Sequence, residues 1–195
     1  MDDMDHRILS ALRARGADPR VASAARGLSL AGEHGALWLA AGLVGAAVDG
    51  TRRDSWLRGT ALVAGAHLTS MGVKRLARRA RPGHVEPLVR TVGRYSFPSS
   101  HAASATAAAV AFGTLGAHGV RPLAAAMCLS RLVVGVHYPS DVAAGAALGV
   151  LTARLGARWM TGAGTTAVTA GTTAGTAAGA AAGTTWPAPD DRKRP

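Results

Sequence analysis

One stretch decides both the fold and the chemistry of this chain: residues 129–141 read LSRLVVGVHYPSD. Arg131 interrupts an otherwise apolar run, His137 follows where the run ends, and Asp141 comes four residues later. A guanidinium at the centre of a membrane helix costs about 2.5–3.5 kcal/mol, so its presence needs a reason. We interpret Arg131 as an anion ligand, and His137 as a nucleophile or base that Asp141 orients. A polar loop between helices is the alternative, and it leaves Arg131 unexplained.

The composition narrows the class of protein. In 195 residues the chain carries 22 Lys and Arg against 11 Asp and Glu, a formal net charge of +11. The mean hydropathy of +0.16 lies between the values typical of soluble and of membrane proteins. The charge would suit nucleic acid, an anionic membrane surface or an anionic substrate. Because no nucleic-acid reader motif is present, we expect no nucleic-acid partner. Cys128 is the only cysteine, which excludes a disulfide framework.

Five apolar segments dominate the middle of the chain. They span residues 35–48, 59–73, 102–120, 122–136 and 142–153. Each is shorter than the ~20 residues that cross a bilayer, but flanking residues extend them. Tryptophans stand beside two of them, as at membrane interfaces. We therefore predict an all-α membrane bundle of five transmembrane helices, or six if a weak segment within 161–185 also spans. A soluble helical bundle is the alternative.

The chain divides into three regions. In residues 1–34, apolar side chains at helical spacing predict short amphipathic helices that lie on a membrane surface or on the bundle. Residues 35–160 form the predicted membrane core. Residues 161–195 begin with a run of Gly, Ala, Thr and one Val, a low-complexity composition that predicts a flexible tail.

A basic cluster precedes the third apolar segment. Residues 74–82 read KRLARRARP. Lys74 and Arg81 are two helical turns apart, so both can extend from one helix face, which Arg78 shares. Cations on one face can clamp an anion. The alternative is a basic flank of a membrane segment.

A second polar cluster, residues 96–102, reads SFPSSHA. Small polar residues here would cap the following apolar helix, whose N-terminus attracts anions. His101 in the first turn could donate a proton to a leaving oxygen. Taken alone, this is also the pattern of an ordinary serine N-cap beside an incidental histidine.

Together the three clusters resemble the signature motifs of the type 2 phosphatidic acid phosphatase (PAP2) superfamily. That family includes lipid phosphate phosphatases, bacterial polyprenyl diphosphate phosphatases and vanadium haloperoxidases. Ser100 stands where many members carry glycine. The motifs occur in the family's order, as Lys74-x6-Arg81-Pro82, Pro98-Ser99-Ser100-His101 and Ser130-Arg131-x3-Gly135-x-His137-x3-Asp141.

The resemblance implies a haloperoxidase-like helical core and a role for each matched residue. His137 would be the nucleophile, Asp141 would orient it, and His101 would protonate the leaving group and then activate water. No metal ion or other cofactor is implied. The implied ligands of the phosphate group are Lys74, Arg81, Ser99, Ser100 and Arg131.

We therefore expect an integral membrane phosphatase that hydrolyses a lipid phosphate or polyprenyl (di)phosphate through a phosphohistidine intermediate. Its expected partners are that substrate and membrane lipids. The count of loop charges favours a cytoplasmic active site, but several of those charges belong to the site. Bacterial relatives favour the extracytoplasmic side of the cell membrane, which is our expectation. The alternatives are a soluble acid phosphatase or vanadate-dependent haloperoxidase, and a membrane protein that only binds lipid headgroups.

Overall fold

The computed structural model describes residues 2–91 and 93–162. This part of the chain is helical, with one isolated β-bridge between Ala80 and Tyr95, so the predicted all-α class is confirmed. The predicted tail lies almost wholly outside the described residues. The helices are α1 (Asp2–Ala14), α2 (Pro19–Ala31), α3 (Ala36–Val48), α4 (Arg53–Ala77), α5 (Ser100–Gly113), α6 (Val120–Val133), α7 (Pro139–Leu155) and α8 (Ala157–Met160).

Each predicted apolar segment overlaps one of the helices α3 to α7. The largest difference is α4, which runs for 25 residues and extends beyond its apolar segment at both ends. In residues 2–91 and 93–162, no helix combines the length and the apolar character that crossing a membrane requires.

Helix α5 lies at the centre of the bundle and packs against α4, α6 and α7. All of its alanines except Ala109 are buried, and such small side chains let neighbouring helices approach closely. On α7, a Cβ atom added at Gly145 would overlap the carbonyl oxygen of Ser99, and one added at Gly149 would overlap that of Ala103. The two backbones are therefore in direct contact, which fixes the start of α7 beside the start of α5.

Aromatic side chains fill the half of the bundle farther from these helix starts. Phe112 is fully buried, and the rings of Trp56 and Phe112 lie 5.2 Å apart. Burial of a side chain of this size stabilises the fold by about 1.5–3 kcal/mol. This apolar half holds the helices together, while polar groups gather at the other end.

The N-terminal helices pack on the bundle. Helix α1 contacts α6 and α7, and α2 contacts α6. Leu9 of α1 is fully buried against Leu132 and Val142. Asp18 caps the start of helix α2, and its carboxylate accepts a hydrogen bond of 2.7 Å from the Arg20 amide. Both helices of this region therefore have contacts with the bundle.

The predicted helical face with Lys74, Arg78 and Arg81 does not exist. Helix α4 ends at Ala77, and Arg78 takes the left-handed conformation, with φ of 50°. Arg78 is exposed. Arg81 lies in the loop that follows, because Pro82 disfavours helical geometry in the residue before it. The interpretation of this cluster as one helix face is therefore wrong.

Candidate active site

A cavity of about 220 Å³ opens at the polar end of the bundle. Helices α2, α4 and α6 end at this cavity, and α5 begins there. The structure brings residues of all three sequence clusters to its wall. Six of the eight predicted site residues line it: Lys74, Arg81, Ser100, His101, Arg131 and His137.

His137 lies in the short loop between α6 and α7. Gly135 turns this loop with φ of 74°, a conformation that favours glycine. The His137 side chain is 2% exposed, and its Nδ1 lies 3.6 Å from Oδ2 of Asp141. This distance is slightly longer than a hydrogen bond, so a small rotation of the ring would form one.

The imidazole of His137 is neutral at physiological pH. Burial lowers its pKa to about 3, because the charged form loses its hydration, and the opposing carboxylate of Asp141 offsets only part of this effect. A neutral imidazole keeps the lone pair that a nucleophile needs.

Asp141 lies directly behind His137, with no exposed surface. It is the third residue of α7, and its Oδ2 accepts a hydrogen bond of 2.8 Å from the Tyr138 amide at the helix start. Its Oδ1 accepts one of 3.0 Å from Nη1 of Arg79. One carboxylate therefore caps the helix and faces the histidine.

His101 and Arg131 both bind Ser29 of α2. Nε2 of His101 lies 3.1 Å from the Ser29 carbonyl oxygen, and Nη1 of Arg131 donates to the Ser29 hydroxyl. Because a carbonyl oxygen only accepts, Nε2 carries a proton in this geometry, and Nδ1 is the nitrogen that can gain or lose one.

Arg131 is 3% exposed, and its Nε has no hydrogen-bond partner in the described residues. A buried donor without a partner is costly, and an anion in the cavity would satisfy it.

Two loops hold Arg81 in place. Its Nε donates to the Gly93 carbonyl at 2.8 Å, and its Nη1 donates to the Val136 carbonyl, next to His137, at 2.9 Å. Lys74 reaches the cavity from the last turn of α4 and is 9% exposed. Three cations from three separate elements therefore face the nucleophile.

The two predicted serines occupy different positions. Ser100 begins α5 and lines the cavity. Ser99 is fully buried behind it, and its hydroxyl accepts a hydrogen bond of 3.4 Å from the Ala102 amide. Ser99 thus caps the helix that carries His101.

The arrangement can bind a tetrahedral anion and attack it. Side-chain cations can hold the oxygens of a phosphoryl group, His137 can attack the phosphorus, and His101 can exchange a proton with the leaving oxygen. In the described part of the chain, no group of His, Cys, Asp or Glu could hold a metal ion.

Sequence reasoning missed several residues of the site. The only signal for Ser29 was the helical spacing of Ala22, Ala25 and Ser29, which indicates a packing face and carries no chemistry. Arg79 was one arginine of a basic run, with nothing to single it out. His67 of α4 also lines the cavity, although it belongs to none of the three motifs.

Three comparisons place this chain among known proteins. The profile of the PAP2 superfamily matches residues 56–164. The decaprenylphosphoryl-5-phosphoribose phosphatase of Mycolicibacterium smegmatis is 46% identical over 130 residues, which are 65% of this chain and 72% of that protein. The protein of the same name from Mycobacterium tuberculosis is 46% identical over 134 residues, or 67% and 76%.

A solved structure shares the fold. It is the transmembrane PAP2-type phosphatidylglycerolphosphate phosphatase from Bacillus subtilis, with a TM-score of 0.59 over 79% of this chain and 83% of that one. The sequence identity is 21%, so this likeness supports the architecture alone.

Proposed function

The chain belongs to the PAP2 superfamily and is a phosphatase, and from that premise we propose that its substrate is a polyprenyl-linked sugar phosphate. The observation that carries the proposal is the pair of His137 and Asp141 at a cavity lined by cations. The mycobacterial relatives support the substrate class, since their name describes a phosphatase of a decaprenyl-linked phosphoribose.

In the proposed first step, Nε2 of His137 attacks the terminal phosphorus of the substrate. A nitrogen–phosphorus bond forms while the bond from phosphorus to the sugar oxygen breaks. His101, with a proton on Nδ1 as well as on Nε2, gives the Nδ1 proton to the departing oxygen. Asp141 accepts a hydrogen bond from Nδ1–H of His137 and stabilises the positive charge that develops on the ring.

In the second step, water attacks the phosphohistidine. His101 now takes the proton of that water, and the nitrogen–phosphorus bond breaks to release inorganic phosphate. Throughout both steps, Lys74, Arg81 and Arg131 would hold the phosphoryl oxygens. Their fixed charges stabilise the transition state without reorganisation of solvent.

Release of inorganic phosphate by the purified protein tests this function. The panel contains a polyprenylphosphoryl pentose 5-phosphate, phosphatidic acid, phosphatidylglycerophosphate and a polyprenyl diphosphate. His137→Ala should reduce turnover to background, and His101→Ala should lower kcat about 10²–10⁴-fold, since it removes the general acid and base.

His118→Ala is the matched control, because His118 is exposed on the turn after α5, at the other end of that helix from His101. It should retain the wild-type rate. Turnover by His137→Ala would contradict the mechanism. Release of phosphate from no member of the panel would favour a protein that only binds lipid headgroups.

An excess of positive charge in the cavity supports a substrate with two phosphates. Its lining includes five cationic side chains and one carboxylate, that of Glu33, among the described residues. Lys74, Arg81 and Arg131 suffice for one phosphoryl group. Arg26 and Arg90 are the other two, and Nε of Arg26 is held by the Leu88 carbonyl at 3.2 Å. A phosphodiester between the sugar and the polyprenol would supply the second anion.

Replacement of Arg26 or Arg90 by glutamine should change substrate preference. KM should rise about fivefold for the phosphodiester-linked sugar phosphate, the effect of about 1 kcal/mol for an exposed ionic contact. KM for phosphatidic acid, which lacks a second phosphate, should stay within twofold. Arg20→Gln is the control, because Arg20 is exposed in the first turn of α2, outside the cavity lining. An equal rise of KM for both lipids would contradict the second-phosphate assignment.

We also propose that the chain is a multi-pass protein of the cell membrane, with its active site on the extracytoplasmic side. Large apolar side chains on the outer surface support a lipid-facing bundle. Val48 of α3 is 79% exposed, Leu68 of α4 is 69% exposed, and Leu155 of α7 is 76% exposed. A polyprenyl tail could lie along such a surface while its headgroup enters the cavity.

Labelling of a single cysteine tests this location. Glu86→Cys, in a Cys128→Ala background, puts a thiol on an exposed loop beside the cavity. A membrane-impermeant maleimide should label it on intact cells. Labelling only after permeabilisation would put the loop in the cytoplasm, and recovery of the protein in the soluble fraction would contradict a membrane location.

A further inference from the structure

Helix α1 carries a buried carboxylate, that of Asp5, which is 6% exposed. Its Oδ2 accepts a hydrogen bond of 2.9 Å from Nη2 of Arg79. Its Oδ1 accepts one of 3.0 Å from the Ser140 amide, and the Ser140 hydroxyl donates to Oδ2. Burial alone would raise the pKa of Asp5, but the hydrogen bonds from Ser140 and Arg79 hold it below its usual value. The carboxylate is therefore ionised.

Arg79 connects this carboxylate to the catalytic pair. Its Nη1 donates to Oδ1 of Asp141 at 3.0 Å and to the Ser140 hydroxyl at 2.6 Å. Its guanidinium also stacks on the Tyr138 ring, 4.1 Å from the ring centre. Contacts thus run without a gap from Asp5 through Arg79 to Asp141, whose other oxygen faces His137.

The charges along this path determine how well Asp141 can serve His137. Arg79 bound to Asp141 alone would form a neutral pair and would draw the carboxylate away from the imidazole. Asp5 shares the charge of Arg79, so the three groups together carry a net charge of −1. That charge would stabilise the positive ring that forms when His137 takes a phosphoryl group.

Asp5 also fixes the first turn of α7. The Ser140 amide is one of the donors that a helix start leaves without a partner inside the helix. Asp5 accepts from it, one residue before Asp141. The carboxylate of α1 therefore constrains both the backbone and the ion pair that hold Asp141.

We propose that Asp5 is a positioning residue of the active site, which acts through Arg79 to set the place and the charge of Asp141 behind His137. This inference rests on the proposed catalysis by His137. Asp5 lies outside residues 56–164 that the family profile matches, so the profile does not cover it. Helix α1 is then part of the catalytic apparatus as well as of the fold.

The first test is the kinetics of Asp5→Asn, which keeps the shape of the side chain and removes its charge. We expect kcat to fall about tenfold, the effect of one lost charged hydrogen bond. KM should stay within twofold, because Lys74, Arg81 and Arg131 still hold the phosphate. A wild-type kcat in Asp5→Asn would overturn the proposal.

A double-mutant cycle tests the path through Arg79. If Asp5 acts through Arg79, the double variant Asp5→Asn/Arg79→Gln should be no slower than Arg79→Gln alone. If the two substitutions instead lower kcat by factors that multiply in the double variant, Asp5 does not act through Arg79.

Two controls separate positioning from general stability. Asp49→Asn is the matched substitution, since Asp49 is ion-paired to Arg52 at 2.7 Å in the turn between α3 and α4, at the other end of the bundle. Asp18→Ala removes the cap of α2 and should lower the melting temperature. Neither should lower kcat. A loss of kcat in Asp18→Ala that matches the loss in Asp5→Asn would reduce Asp5 to a structural role.

Orthovanadate binding gives a readout that does not require turnover. Vanadate would occupy the phosphate position and bond to His137, so its affinity should fall about tenfold in Asp5→Asn. Unchanged affinity would overturn the positioning role. If the wild-type protein binds vanadate but hydrolyses no lipid phosphate, the proposed function is wrong. The difference in vanadate affinity between the wild type and Asp5→Asn then still tests the positioning role of Asp5.

Discussion

The contact between Asp141 and His137 is the constraint on which the rest of the site depends. Asp141 is fully buried, so every oxygen lone pair it uses must find a partner inside the protein. Its Oδ1 pairs with Arg79, and its Oδ2 accepts from the Tyr138 amide at the start of α7 and also faces the histidine. The same carboxylate therefore both caps the start of α7 and orients the nucleophile.

The packing of α7 on α5 keeps this contact in register. Gly145 and Gly149 allow the two backbones to touch, and the Ser99 amide donates to the Asp141 carbonyl at 2.9 Å. His101 follows Ser99 by two residues, so the acid–base group and the nucleophile are positioned by the same helix pair. A larger side chain at either glycine would separate them as well as destabilise the bundle.

Sequence patterns predicted the helices and the motif residues, which depend on neighbouring positions. They did not predict contacts between segments that are far apart in the sequence. Runs of apolar residues located α3 to α7, and the three motifs supplied three of the five cationic side chains that line the cavity. The shared face of Lys74 and Arg81 was wrong because helical spacing was extended past Ala77, where the helix ends. Asp5 and Ser140 are 135 positions apart, and no local periodicity indicates that a carboxylate in an amphipathic helix will enter the catalytic network.

Capture of the covalent intermediate tests the central claim most directly. An aryl phosphate with a good leaving group needs no acid in the first step, so His101→Gln should still be phosphorylated but should lose its phosphoryl group slowly. After an alkaline quench, which preserves phosphohistidine, mass spectrometry should find one phosphoryl group on the peptide that contains His137, and none in His137→Gln. Turnover with no phosphorylated peptide, or a phosphoryl group on another residue, would contradict the account.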